Sequence, residues 1–144
     1  MDNIRESVHD LHETSLTFSK GIDLLIDDFQ FCEVELHGKV PDYLDQKQEQ
    51  ALLMIIKEAL ANIMKHSNAT KVTLSFNELP AFFQLQILDN GTLVKKNRHG
   101  IGLLSMRQRV ERMAGQLHIS QTPNHFLIHI VFPKDVQAFS QKVH

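Results

Sequence analysis

Charge of one sign is what this chain has least of. Lys and Arg total 15 against 17 Asp and Glu, a formal net charge of −2 over 144 residues. With no basic excess and no acidic tail, duplex nucleic acid is not expected as a partner. Cysteine occurs once, at Cys32, so no internal disulfide can form, and a half-buried thiol in a reducing setting is the expectation. No apolar run approaches the roughly 18 residues of a membrane span. The opening "DNIRESVHD" is not a basic then apolar leader. A soluble, cytoplasmic domain is expected, with any membrane anchor left to a longer parent chain. Repeats and low-complexity stretches are also missing. With 42% hydrophobic residues, the chain predicts one domain with a real core, burying very roughly 70% of its unfolded surface.

Histidine, by contrast, is plentiful, with nine. His9 and His12 stand at helical i, i+3 spacing, but structural zinc takes four ligands and no matching cluster lies beside them. His118, His125 and His129 fall in strand-like segments and are expected at the surface or a sheet edge.

Everything else is arranged around "LLMIIKEALANIMKH", Leu52 to His66. Leu52, Ile55, Ile56, Ala59, Leu60 and Ile63 recur at the spacing of a core-facing helix stripe. Asp45, with Gln48 three residues on, is the expected N-cap. Glu58, Asn62, Lys65 and His66 project from neighbouring turns as a carboxylate, an amide, an ammonium and an imidazole. Such a set suits a metal-bound polyphosphate, because an Asn oxygen can complete a Mg²⁺ shell shared with phosphates. Taken alone it equally fits the solvated face of an amphipathic helix.

Before this helix, Ile4, Val8, Leu11 and Leu16 mark a narrow-striped helix from Asp2 to about Phe18, and a second short helix follows Gly21. "FCEVELHG" then reads as a half-buried strand ended by Gly38. After it, Val72, Leu74 and Phe76, and then Phe83, Leu85 and Ile87, alternate inward as a hairpin finishing at Asp89. Thr92 to His99 reads as a basic loop. A helix follows "GIG", with Leu103, Met106, Val110 and Met113 on one face and Gly115 as C-cap. "QLHISQT" and "HFLIHIVF" are two closing strands, stopped by Pro133. The order predicts an α+β two-layer sandwich, an antiparallel-rich mixed sheet with helices on one face.

Two glycine stations complement the central helix. Asp89, Asn90 and Gly91 stand where a strand stops, so a carboxylate there could accept a hydrogen bond from a purine amino group, with Gly91 letting a ring approach. Gly100 and Gly102 open a helix, whose free N–H groups and positive dipole end suit phosphate.

In this order, "EALANIMKH", "DNG" and "GIGLLSMRQRVERMAGQL" resemble the asparagine box and the two glycine boxes of the Bergerat-type ATP-binding fold. That fold is shared by histidine kinases, gyrase, a heat-shock chaperone and mismatch-repair ATPases. The subclass most resembled is the nitrate-sensor-like sensor histidine kinases that pair with LuxR-type response regulators. What the resemblance implies is an ATP-dependent protein-histidine kinase domain using ATP and Mg²⁺. Asn62 would be the Mg²⁺ ligand and Glu58 the catalytic acidic residue. Lys65 and His66 would lie on the phosphate side, Asp89 with Gly91 at the adenine, and Gly100, Gly102 and Leu103 at the end of the phosphate lid.

Four departures from the pattern stand out. "DNGTL" lacks a second glycine, the lid from Thr92 to His99 is short, and Ser105 replaces a glycine before "MRQR". The phosphoacceptor segment has no counterpart. "VHDLHE" aligns with the second dimerisation helix instead, so neither His9 nor His12 is assigned that role. The expected layout is residues 1–30 as the end of a dimerisation helix and its junction, 31–133 as the catalytic domain and 134–144 as a tail. The isolated chain is expected as a monomer and its parent as a homodimer. Rival readings are a degenerate nucleotide-binding regulatory module and an anti-sigma-type serine kinase.

Overall fold

The apolar stripe of the central helix decides where the sheet must lie. The computed structural model describes residues 14–92 and 101–134. Within them the order is α1 (Thr14–Asp28), β1 (Glu33–His37), α2 (Gln46–His66), β2 (Lys71–Glu78), β3 (Phe82–Asp89), α3 (Ile101–Glu111), β4 (Gln116–Thr122) and β5 (His125–Pro133). Helix α2 begins as expected. Asp45 Oδ1 accepts from Gln48 N–H at 2.8 Å, and Gln48 Oε1 accepts from Asp45 N–H at 3.0 Å, a reciprocal capping box. Leu52, Ile55, Ile56, Leu60 and Ile63 are all buried. Together such side chains contribute on the order of 10 kcal/mol, against about 1 kcal/mol for a cap. Packing, not capping, holds this helix in place.

The strands form one sheet in the order β1-β2-β3-β5-β4. β1 runs parallel to β2, and every other pair is antiparallel. Leu74 of β2, Leu85 of β3 and Ile130 of β5 point to one side and join Phe18, Ile56 and Met106 from the helices in a single core. Among the described residues, helices cover that side and none covers the other, which makes the two-layer α+β sandwich. Among the described residues, no helix is long and apolar enough to cross a membrane.

Three details correct the sequence reading. Helix α1 runs unbroken through Gly21, where a second helix was expected to start. A Cβ at Gly21 would meet Leu53 Cδ1 at 3.0 Å, so this glycine serves the approach of α1 to α2 and not a turn. Phe18 and Ile22 of α1 are fully buried. The expected helix before residue 14, with His9 and His12, lies outside the described residues, as do the loop 93–100 and the tail from 135 onward.

The second correction is at the end of α3. Gly115 is the expected cap, yet the left-handed residue is Ala114, at φ 59. Gly115 N–H donates to Val110 O at 3.0 Å and Ala114 N–H to Glu111 O at 3.1 Å, the two closing bonds of a Schellman motif. Gly115 is required for space, since its Cβ would lie 2.7 Å from Val131 O.

The third concerns histidine. His118 lies exposed on the edge strand β4, as expected, but its cross-strand partner His129 is half-buried on the inner strand β5. Its Nε2 is closed off from solvent with no hydrogen-bond partner, and the two rings stand 6.2 Å apart.

Two outcomes follow for stability. Ala114→Gly removes a left-handed strain of roughly 1 kcal/mol and should raise Tm by a few degrees, whereas Gly115→Ala should lower it; thermal unfolding by circular dichroism checks both. Burial, and then the neighbouring His118, hold the His129 imidazole below its ordinary value of 6.5. As pH falls below 6.5 the unfolded chain therefore takes up a proton that the folded state resists, and stability is lost. His129→Gln should flatten the decline of Tm between about pH 7.5 and about pH 5.5, a range that spans the ordinary His pKa.

Candidate functional site

Helix α2 carries its polar row to the point where the chain turns back into the sheet. Of the four predicted residues, Glu58 and Lys65 are exposed while Asn62 and His66 are half-buried, at the margin of the core. Lys65 and His66 occupy the last turn, where cations offset the partial negative charge of a helix C-terminus. Ser67 then leaves the helix with extended backbone, although its N–H still donates to Ile63 O at 2.9 Å.

The sheet register brings Asp89 to the same end. β3 runs antiparallel to β2 with Val72 opposite Asp89, so the end of β3 lies beside the start of β2, just after α2. Asp89 is 1% exposed. A buried carboxylate needs hydrogen-bond donors, and Asp89 Oδ1 accepts from Ser67 Oγ at 3.2 Å and from Gly91 N–H at 2.9 Å. Cys32 lies close enough that the charge of Asp89 adds to burial, the larger cause, in pushing the thiol up.

The two turns interlock. Beside the Ser67–Asp89 bond, Asn68 Oδ1 accepts from Thr92 N–H at 2.9 Å and Asn68 Nδ2 donates to Thr92 Oγ1 at 3.2 Å. Asn90 Oδ1 accepts from the N–H groups of Thr70 and Lys71 at 2.9 and 3.1 Å, and its Nδ2 donates to Thr70 Oγ1 at 3.0 Å. Gly91 is buried between them, where a Cβ would lie 2.3 Å from Ser67 Oγ and 2.9 Å from Asp89 Oδ1. Sequence reasoning placed Asp89, Asn90 and Gly91 at a strand end but did not join that turn to the one after α2, so the bonds made by Ser67, Asn68, Thr70, Asn90 and Thr92 were not foreseen. Their residue types were the available signal, since Ser, Thr and Asn side chains bond readily to nearby backbone.

Glu58 lies further back along α2. With Met54, Ile55, Ser105, Met106 and Arg109 it lines a small cleft between α2 and α3. Ser105, which replaces the expected glycine, is therefore part of a wall. Leu103 is 4% exposed and packs into the core, pinning the first turn of α3, to which Gly102 belongs. Gly100 lies outside the described residues. The structure thus gathers Asn62, Lys65, His66, Asp89 and Gly91 at one end and sets Glu58 beside the α3 cleft.

Among the described residues no group of three or more His, Cys, Asp or Glu side chains could hold a metal ion. A Mg²⁺ ion carried in by a polyphosphate needs no such cage and would ask the protein for only one or two oxygens. Asn62, half-exposed on the last turns of α2, offers one such oxygen.

Asn90→Ala removes three side-chain hydrogen bonds between the turns and should cost about 1–3 kcal/mol in urea unfolding. Asn90→Asp keeps the acceptor and loses only the donor, so it should fall between Ala and the wild type.

Comparison with known proteins agrees with this geometry. Residues 47–136 match the family described as histidine kinase-, DNA gyrase B-, and HSP90-like ATPase. The signal transduction histidine-protein kinase/phosphatase DegS of Brevibacillus brevis is 31% identical over 111 residues, covering 75% of this chain and 27% of the relative. The sensor protein VraS of Staphylococcus aureus (strain COL) is 31% identical over 113 residues, covering 75% of this chain and 33% of the relative. The chain thus spans about a third or less of these relatives' length. In fold it resembles the Acinetobacter baumannii histidine kinase AdeS, with TM-score 0.67 and 17% identity, covering 93% of this chain and 80% of that one. It also resembles the blue-light activated histidine kinase of Erythrobacter litoralis EL346, with TM-score 0.70 and 14% identity, covering 84% of this chain and 42% of that one. The matched stretch takes in more than half of the chain, including α2 and all the strands but β1, and the chain therefore belongs to the histidine kinase-, DNA gyrase B-, and HSP90-like ATPase family.

Proposed function

We propose that this domain transfers the γ-phosphoryl group of ATP to a histidine that lies outside the chain, on the dimerisation and phosphoacceptor domain of a homodimeric parent kinase. The observation that carries the reading is the buried Asp89 carboxylate, held by Ser67 and Gly91 at the same end of the domain as Asn62, Lys65 and His66. Asp89 accepts a hydrogen bond from the adenine amino group, with Gly91 beside it. Lys65 and His66 neutralise phosphate charge, and the N–H groups near Gly100 and Gly102, ahead of Leu103, cradle the transferring end. Asn62 would hold a Mg²⁺ ion through its side-chain oxygen, and the ion would supply charge neutralisation for the phosphates. Glu58 is the acidic residue that polarises the reaction. The imidazole nitrogen attacks phosphorus in line, a P–N bond forms, the γ P–O bond breaks and ADP leaves. Phosphoryl transfer asks the protein chiefly for positioning and charge, and this set of residues supplies both.

Two relatives with names of sensor and histidine-protein kinase support this reading. The "EALANIMKH" and "MRQRVERM" segments support the nitrate-sensor-like subclass, and with it a LuxR-type response regulator as the next phosphoryl acceptor. Residues 31–133 would form the catalytic domain, with the segment before it leading from the dimerisation helix.

Titration calorimetry with a non-hydrolysable ATP analogue should show Mg²⁺-dependent binding that Asp89→Asn weakens at least about tenfold, the scale of a hydrogen bond to a charged group. Asn62→Asp in the parent kinase should abolish autophosphorylation. No binding at millimolar analogue would shift the reading to a degenerate module that regulates a partner kinase.

A further inference from the structure

Asp89 reads a base only if its carboxylate is held in one orientation, and Ser67 holds it from outside its own turn. We infer that Ser67 is a positioning residue that sets the preference of this domain for adenine, an inference that rests on the nucleotide reading above. Ser67 is the first residue beyond α2, and its extended backbone throws the side chain off the helix axis, where it is buried. Its hydroxyl has one proton. Ser67 Oγ accepts from Ala69 N–H at 3.0 Å, so the geometry directs that proton to Asp89 Oδ1, 3.2 Å away. Gly91 N–H donates to the same oxygen at 2.9 Å. Two donors, one from each turn, meet on a single carboxylate oxygen and fix the plane of the group.

The contact leaves little room for substitution. A Cβ at position 91 would stand 2.3 Å from Ser67 Oγ and 2.9 Å from Asp89 Oδ1, so Gly91 is tied to the presence of the hydroxyl as well as to the carboxylate. Ser67 also directly follows His66, at the end of the helix that carries Asn62 and Lys65. One hydroxyl thereby joins the base-reading carboxylate to the phosphate end of α2.

A merely structural Ser67 would cap the turn through its bond to Ala69 and leave base preference alone. The discriminating measurement is the ratio of affinities for ADP and inosine diphosphate, whose base carries a carbonyl where adenine carries its amino group. Calorimetry on the wild type, Ser67→Ala and Asp89→Asn, with thermal unfolding of each nucleotide-free protein, gives both quantities. Ser67→Ala should shrink the ADP preference about three- to tenfold, the range of a single hydrogen bond, mainly through weaker ADP binding. Ser67→Cys, which keeps the shape but is a weak donor, should fall between, and it serves if the Ala variant does not fold. An unchanged ratio in both Ser67 variants, with the preference lost in Asp89→Asn, overturns the role of Ser67 alone. A wild type without preference, or a preference that survives Asp89→Asn, overturns the base reading on which it stands.

Discussion

The burial of one face of α2 is the constraint from which the site follows. With Leu52, Ile55, Ile56, Ala59, Leu60 and Ile63 committed to the core, the rotation of the helix is fixed, and Glu58, Asn62, Lys65 and His66 can point only toward its margins. A one-residue shift of the stripe would bury Glu58 and Asn62 in one direction or Lys57 in the other, at a cost comparable to the gain from a whole apolar side chain. Core packing and site geometry are therefore one constraint seen from two sides.

A second layer of order comes from the turns that follow α2 and β3. Neither has regular secondary structure, so the backbone groups there need partners outside any ladder. The N–H groups of Thr70 and Lys71 find them in Asn90 Oδ1 and that of Thr92 in Asn68 Oδ1, while the two amide Nδ2 groups donate to the Thr70 and Thr92 hydroxyls. The same fastening supplies donors to Asp89, the least exposed carboxylate in the described domain. Burying a charge is tolerable only where such donors are built in.

The opposite side of the sheet obeys looser rules. Its residues are half-buried or exposed, and it holds the His118 and His129 pair. At the far end of α3, Ala114 occupies a left-handed position while Gly115 fills a place with no room for a side chain. A strain of this kind persists because the surrounding contacts of Val131 and Phe132 leave the chain no other path. Arg107 Nη1, bonded to Leu117 O at 3.0 Å, closes the same corner from the helix side.

Period and residue type were enough for much of this. The three-and-four spacing of α2, its capping box, the alternation of β2, β3 and β5 and the stop at Gly38, whose φ is +80, are local signals, each set by backbone geometry within a few residues. They defined the elements, the two-layer class and the residues gathered at the end of α2. What they could not define was which turn faces which. Ser67 and Asp89 stand 22 residues apart, and only the antiparallel register of β2 and β3 makes them neighbours. Gly21, Gly115 and His129 were misread for the same reason: each answers to a group brought to it by packing, Leu53, Val131 and His118 in turn. Local conformational preference is written along the chain, whereas close approach and burial exist only once the sheet and its helices have met.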